Sequence, residues 1–138
     1  MLVRTWRGAV RAEDADTYVD YVRRTGIQAF RDTPGNLGSM MLLRPRKDGH
    51  LELQVVSFWE SMDSVRAFAG ARPDRAVFFP EDDRFLVDRD EDVRHFEAVD
   101  ARWPASSSSN STPGADAPDI SDARAPLWRW WERLVRMA

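Results

Sequence analysis

The sequence predicts an α+β domain of element order β-α-β-β-α-β, followed by a Ser/Pro-rich linker and a short C-terminal amphipathic helix. Three observations carry that expectation. Four runs rich in β-branched, aromatic or aliphatic residues are interrupted twice by segments of helical periodicity. The two central runs flank an Asp-Gly pair, the strongest short hairpin signal. Beyond residue 103 the composition shifts to Ser, Pro, Ala, Asp and Gly before a one-sided apolar pattern resumes.

Val3-Arg4-Thr5-Trp6-Arg7 alternates, so a first strand is expected there, ended at residues 8–11 by Gly8. The helix after it carries Glu13, Asp14 and Asp16 in its first turn, Arg23 and Arg24 in its last, and Gly26 beyond, which matches the helix dipole at both ends. Its inner face is Ala15, Tyr18, Val19 and Val22; Ile27, Ala29 and Phe30 extend it by a turn before Pro34-Gly35 makes a loop. Residues 37–43 and 51–59 form an antiparallel pair around Asp48-Gly49. Ser61 caps a second helix with Met62, Val65, Phe68 and Ala69 inward and Gly70 at its end. Residues 73–86 read as a short helix with a connection, and residues 91–100, with Val93, Phe96, Ala98 and Val99, as the last strand.

Residues 1–103 are thus the folded domain, 104–126 a flexible linker and 127–138 a Trp-rich helix. On that helix Leu127, Trp128, Trp130, Trp131, Leu134 and Val135 share one half of the wheel, opposite Arg129, Glu132, Arg133 and Arg136. It is too short to hold its conformation alone. It is expected to dock on its own or the partner subunit in preference to a membrane.

Composition removes most other functions. Lys+Arg 20 against Asp+Glu 23 leaves net −3, no basic field for phosphates, and so no nucleic-acid partner. With no cysteine and two histidines a nitrogen-and-sulfur zinc site is excluded, and the acidic runs at 81–83 and 88–92 lack calcium-loop spacing. Gly35-Asn36-Leu37-Gly38 lacks the residues of a dinucleotide or phosphate loop. Neither metal nor cofactor is expected. No apolar run reaches the roughly 20 residues of a membrane span, and the opening residues do not look like a secretory signal, so a cytoplasmic location is expected.

Phe58-Trp59-Glu60-Ser61-Met62-Asp63-Ser64-Val65-Arg66-Ala67-Phe68 ends the third strand in Trp-Glu-Ser and opens the second helix. With the element order, this resembles the antibiotic biosynthesis monooxygenase family over about residues 1–100. The resemblance implies a ferredoxin-like βαββαβ fold whose sheet meets that of a second copy in a dimeric α+β barrel. It also implies a cofactor-independent monooxygenase that oxidises a small aromatic or polyphenolic metabolite in the barrel cavity. There the protein need only hold and deprotonate a phenol that reacts directly with oxygen. The heme-degrading branch uses a first-strand asparagine, the tryptophan that Trp59 matches, and a histidine after the second helix. Thr5, Trp6 and Arg7 offer no asparagine and residues 72–79 no histidine, so heme degradation is not expected. The alternative is a non-catalytic small-molecule-binding or interaction protein with the same dimeric barrel.

If Phe96 and Ala98 face the helices, alternation sends His95 and Glu97 to the barrel-lining face. By the same parity Trp6 lies beneath the helices while Thr5 and Arg7 point into the barrel. His95 and Arg7 are then the expected catalytic pair, base and phenolate partner, with Trp59, Thr5 and Glu97 as substrate contacts. Met40 or Met41, Leu42 or Leu43, Leu53 and Val55 leave an apolar sheet face uncovered, which predicts a homodimer. A cavity plugged by Met40, Leu42, Leu53 or Trp59 would favour the non-catalytic alternative.

Overall fold

The computed structural model describes residues 1–104. Strand β1 (Leu2–Arg11) leads through a 3-10 turn (Ala12–Asp14) into α1 (Ala15–Val22), a π-helical turn (Arg23–Ile27) and α2 (Gln28–Arg31). The hairpin β2 (Asn36–Pro45) and β3 (His50–Trp59) follows, then α3 (Met62–Ala69), α4 (Asp82–Phe85), β4 (Leu86–Arg89) and β5 (Arg94–Glu97). The sheet is antiparallel in the order β2-β3-β1-β4, and β5 pairs with the other end of β1. This is a ferredoxin-like α+β fold with its helices on one face. The linker and Trp-rich helix read at 104–126 and 127–138 lie, after Pro104, outside the described residues.

Local chemistry explains most boundaries. Gly49 takes φ +86 at the hairpin turn, a backbone state that costs a side chain dearly. Ser61 and Ser64 form a reciprocal capping box on α3, satisfying two helix-end amides. Two expectations about glycine fail. Gly8 does not end β1: a Cβ there would sit 2.5 Å from the Trp6 ring and 2.9 Å from Leu86, so it is a close-approach glycine inside a ten-residue strand. Gly26 does not end the first helix; it lies within the π turn, and helical structure runs on to Arg31.

Alternation in β1 and β3 divides the sheet. Leu2, Trp6 and Val10 join Leu51, Leu53, Val55 and Trp59 under the helices, against Tyr18, Val22, Phe30 and Val65. Val3, Thr5, Arg7, Val56 and Phe58 therefore lie on the opposite, open face. Leu53 and Val55, read as part of the uncovered surface, belong to the core. Met40, Leu42, Phe96 and Trp103 are the exposed apolar side chains of the open face or its rim, with the Trp103 ring edge-on to Phe58 at 5.2 Å. Among the described residues no helix is long and apolar enough to cross a membrane.

Candidate functional site

The last strand is shorter than expected and faces the other way. It is split into β4 and β5, and β5 pairs Arg4 with His95, Leu2 with Glu97, Val3 with Phe96 and Thr5 with Arg94. Directly opposed residues share a face, so His95 and Glu97 lie on the helical side and Phe96, 51% exposed, on the open side. The five residues expected to converge separate accordingly. Thr5 and Arg7 are on the open face. His95, Glu97 and Trp59 are on the helical face, where Glu97 binds the Met1 amine at 3.0 Å.

Trp59 is fully enclosed, stacked on Phe68 at 5.8 Å and edge-on to Phe30 at 5.7 Å, with its Nε1 donating to Ser57 Oγ at 2.8 Å. It has no face left for a substrate, and its role is packing.

His95 meets an arginine that was not singled out from sequence. Arg4 is buried beneath the Phe68 ring, its guanidinium 5.8 Å from the ring centre. Its Nη1 donates to the Pro73 carbonyl and lies 3.1 Å from His95 Nε2, while Nη2 donates to the Arg75 carbonyl at 2.9 Å. None of these partners is an anion. Burial lowers the Arg4 pKa to about 10, with Asp74 pulling the other way, so the group stays cationic at neutral pH. Burial first, and the Arg4 charge second, push His95 below the usual imidazole range, against Asp74, leaving a neutral ring beside a fixed cation. The signal for Arg4 was in the sequence: it shares the parity of Trp6, and an arginine on a core-facing strand position needs buried acceptors.

Residues 70–81 cover this couple without regular structure, held by Ala76 N–H to the Glu91 carbonyl, Val93 N–H to the Asp74 carbonyl and the Glu81 N–H to Tyr21 Oη, each at 2.9 Å.

The open face carries a cleft of about 490 Å³ lined by Thr5, Arg7, Leu42, Arg44, Glu52, Gln54, Asp90 and Arg94 along with edges of Trp6 and Leu43. Arg7 does not meet Glu97 there; it lies 3.4 Å from Glu52 and 3.3 Å from Asp90. Arg44 Nε donates to Glu52 at 2.5 Å, and this hydrogen bond holds the Glu52 carboxyl below its ordinary range despite burial. The lining contains no histidine.

No family model and no curated protein matches the sequence. Solved structures share its fold. A single-substitution mutant of MhuD with two manganese protoporphyrin IX molecules bound per active site is 22% identical, covering 75% of this chain and all of its own, at TM-score 0.51. MhuD is the heme-degrader of Mycobacterium tuberculosis. A Bacillus cereus protein named as an antibiotic biosynthesis monooxygenase is 19% identical over 73% of this chain and 97% of its own, at TM-score 0.52. Among the described residues the helical side of the sheet does not fit a porphyrin. Trp59, Phe68 and Phe30 fill the space between sheet and helices, residues 70–81 contain no histidine, and His95 Nε2 faces Arg4.

Proposed function

We propose that the chain is an oxygenase of the antibiotic biosynthesis monooxygenase type, acting on a small phenolic molecule with His95 as base and Arg4 as its electrostatic partner. The observation that carries this reading is the buried guanidinium 3.1 Å from a half-buried imidazole, its other hydrogen bonds all going to carbonyl oxygens. The fold supports it at the level of architecture only.

The chemistry asked of the site is small. The phenol O–H gives its proton to His95 Nε2 once the Arg4 N–H that Nε2 accepts has turned from that nitrogen to the phenol oxygen, so that the phenolate formed is held by Arg4. The electron-rich ring then reacts with O2. One oxygen atom enters as the new quinone carbonyl and the other leaves as water, so phenol plus O2 balances against quinone plus water. Arg4, not Arg7, supplies the phenolate contact, and segment 70–81 must lift to admit the substrate.

Oxygen uptake with a panel of naphthols, anthrones and hydroquinones tests the reading. His95→Gln is expected to lower turnover about a hundredfold, the ordinary scale for a positioned base. In the parent protein kcat/KM falls as pH drops through a His95 pKa below the usual imidazole range, because the protonated ring cannot accept the phenol proton. His95→Gln removes that inflection. Unchanged turnover in the variant sinks the reading, and no uptake by the parent leaves the non-catalytic barrel, which the histidine-free open cleft favours.

A second copy of the chain covers the open face in this proposal, burying Met40, Leu42, Phe96 and Trp103. Sedimentation of the full chain is expected at twice 15.9 kDa, and Leu42→Asp at the single mass. A monomeric parent at micromolar concentration would remove the dimer and the barrel together.

A further inference from the structure

We propose that residues 71–78 are an autoinhibitory strap latched by Arg4, whose guanidinium holds either the Pro73 and Arg75 carbonyls or an anionic oxygen of a ligand, and not both. This rests on the oxygenase reading for where the ligand sits, and adds what controls its entry.

The middle of the strap is built like a short strand. Successive carbonyls point to opposite sides: those of Pro73 and Arg75 accept from Arg4, and that of Asp74 between them accepts from the Val93 N–H at 2.9 Å. Ala76 N–H donates to the Glu91 carbonyl, and Arg75 bridges antiparallel to Asp92. One edge of the strap is thus tied to main chain and the other to a single side chain. The strap leaves α3 at Gly70, whose φ of +82 strains any side chain, and ends where Phe78 lies edge-on to Trp6 at 6.2 Å beneath the Arg89 guanidinium. Arg4 and Trp6 both rise from the helical side of the sheet, away from the face that a second copy covers.

The Arg4 edge is the one a ligand exchanges. A carbonyl satisfies an N–H donor but leaves the cation uncompensated, and none of the Arg4 hydrogen-bond partners is an anion. A phenolate makes stronger, charge-assisted bonds to the same N–H groups. A neutral ligand gains nothing by displacing the strap. A neutral phenol therefore enters during a transient lift, and only the phenolate left after proton transfer to His95 keeps the strap open. Apparent affinity is then the intrinsic affinity reduced by the fraction of lifted strap, so loosening the strap away from Arg4 and His95 tightens binding.

Calorimetry and hydrogen exchange on the full chain with 4-nitrophenolate, above that phenol's own pKa, test the latch without turnover. The Ala76 and Val93 amides, whose bonds the lift breaks, are expected to exchange about fivefold faster or more when it binds, the reverse of ordinary ligand protection. Neutral 4-nitroanisole should leave them unchanged. Phe78→Ala, which removes the contact with Trp6, should tighten 4-nitrophenolate binding about threefold or more. Gly70→Ala should do the same through backbone strain alone, since a Cβ there meets nothing within 4 Å, and it decides the matter if Phe78→Ala melts early. The latch is overturned if 4-nitrophenolate binds neither the parent nor the loosened variants, if it leaves the two amides unchanged or protects them, if 4-nitroanisole accelerates them equally, or if the folded variants bind no more tightly than the parent. Absence of oxygen uptake with these results intact would remove the oxygenase and leave the latch; uptake with a protected strap would do the reverse.

Discussion

Replacing Trp59 with alanine is expected to lower the unfolding free energy by about 3–5 kcal/mol, the range for removing a large aromatic from a core that cannot collapse around the gap. The side chain is wholly enclosed between the sheet and the helices. Its stacking on Phe68 and edge contact with Phe30 would be lost together, and Ser57 Oγ would lose the indole donor. Phe68 also lies over Arg4, so the cavity would open beside the guanidinium as well. Trp59→Phe keeps most of the volume and should cost less than half as much. Urea unfolding of the two variants measures both values; an alanine variant within 1 kcal/mol of the parent would mean that Trp59 is not the packing centre described here.

The second large effect is expected at Asp82, a buried carboxylate with two neutral donors. Tyr18 Oη donates to Oδ1 at 3.0 Å and the Phe79 N–H to Oδ2 at 2.6 Å. Burial, with Asp82 adding to it, raises the Tyr18 phenol far above its ordinary range, so Tyr18 remains the donor at any working pH. Asp82→Ala strands both donors, each costing about 1–3 kcal/mol when left unpaired and buried, and should destabilise by about 2–4 kcal/mol. The loss is local as well as global. Phe79 N–H and the neighbouring bond from Glu81 N–H to Tyr21 Oη fasten the end of segment 70–81, so hydrogen exchange at residues 76–81 should accelerate more than in β1 or β3. Equal protection in parent and variant would detach Asp82 from that role.

Much of this fold is legible in the sequence, and the parts that are not share one cause. The Asp48-Gly49 hairpin, the Ser61 cap and the inner face of α1 each rest on local chemistry that tertiary context does not reverse. The facing of β5 rests on a single sign. Placing Phe96 inward is the natural choice where only one side of a sheet is apolar. Here the open face carries Val3, Val56 and Phe58 while the helical face carries the core, so hydrophobicity does not distinguish the two. A one-residue error then moves every side chain across the sheet, and an inward Phe96 puts His95 and Glu97 on the face opposite their true one. Thr5 and Arg7 do lie on the open face, because Trp6 between them packs under the helices and strand parity carries its neighbours to the other side. The cleft itself could not be read. It depends on Glu52 and Gln54 from β3 meeting Asp90 and Arg94, about forty residues further along the chain, a pairing that only the topology supplies.

The central place of β1 also governs the order in which the molecule can form. Residues 2–11 find hydrogen-bonding partners at 50–59 on one side and at 86–89 and 94–97 on the other. The strand that comes first of these is therefore the last to be completed, and its pairing requires closing loops of some forty and some eighty residues. The entropy of those closures is lost before the contacts form, which favours early assembly of the β2–β3 hairpin as a template and late capture of β1. Until β4 and β5 arrive, one whole edge of β1 is an unsatisfied row of amides and carbonyls. A nascent or partly unfolded chain is thus most vulnerable to mispairing at its own first strand, and the short, divided β4 and β5 are what close that edge.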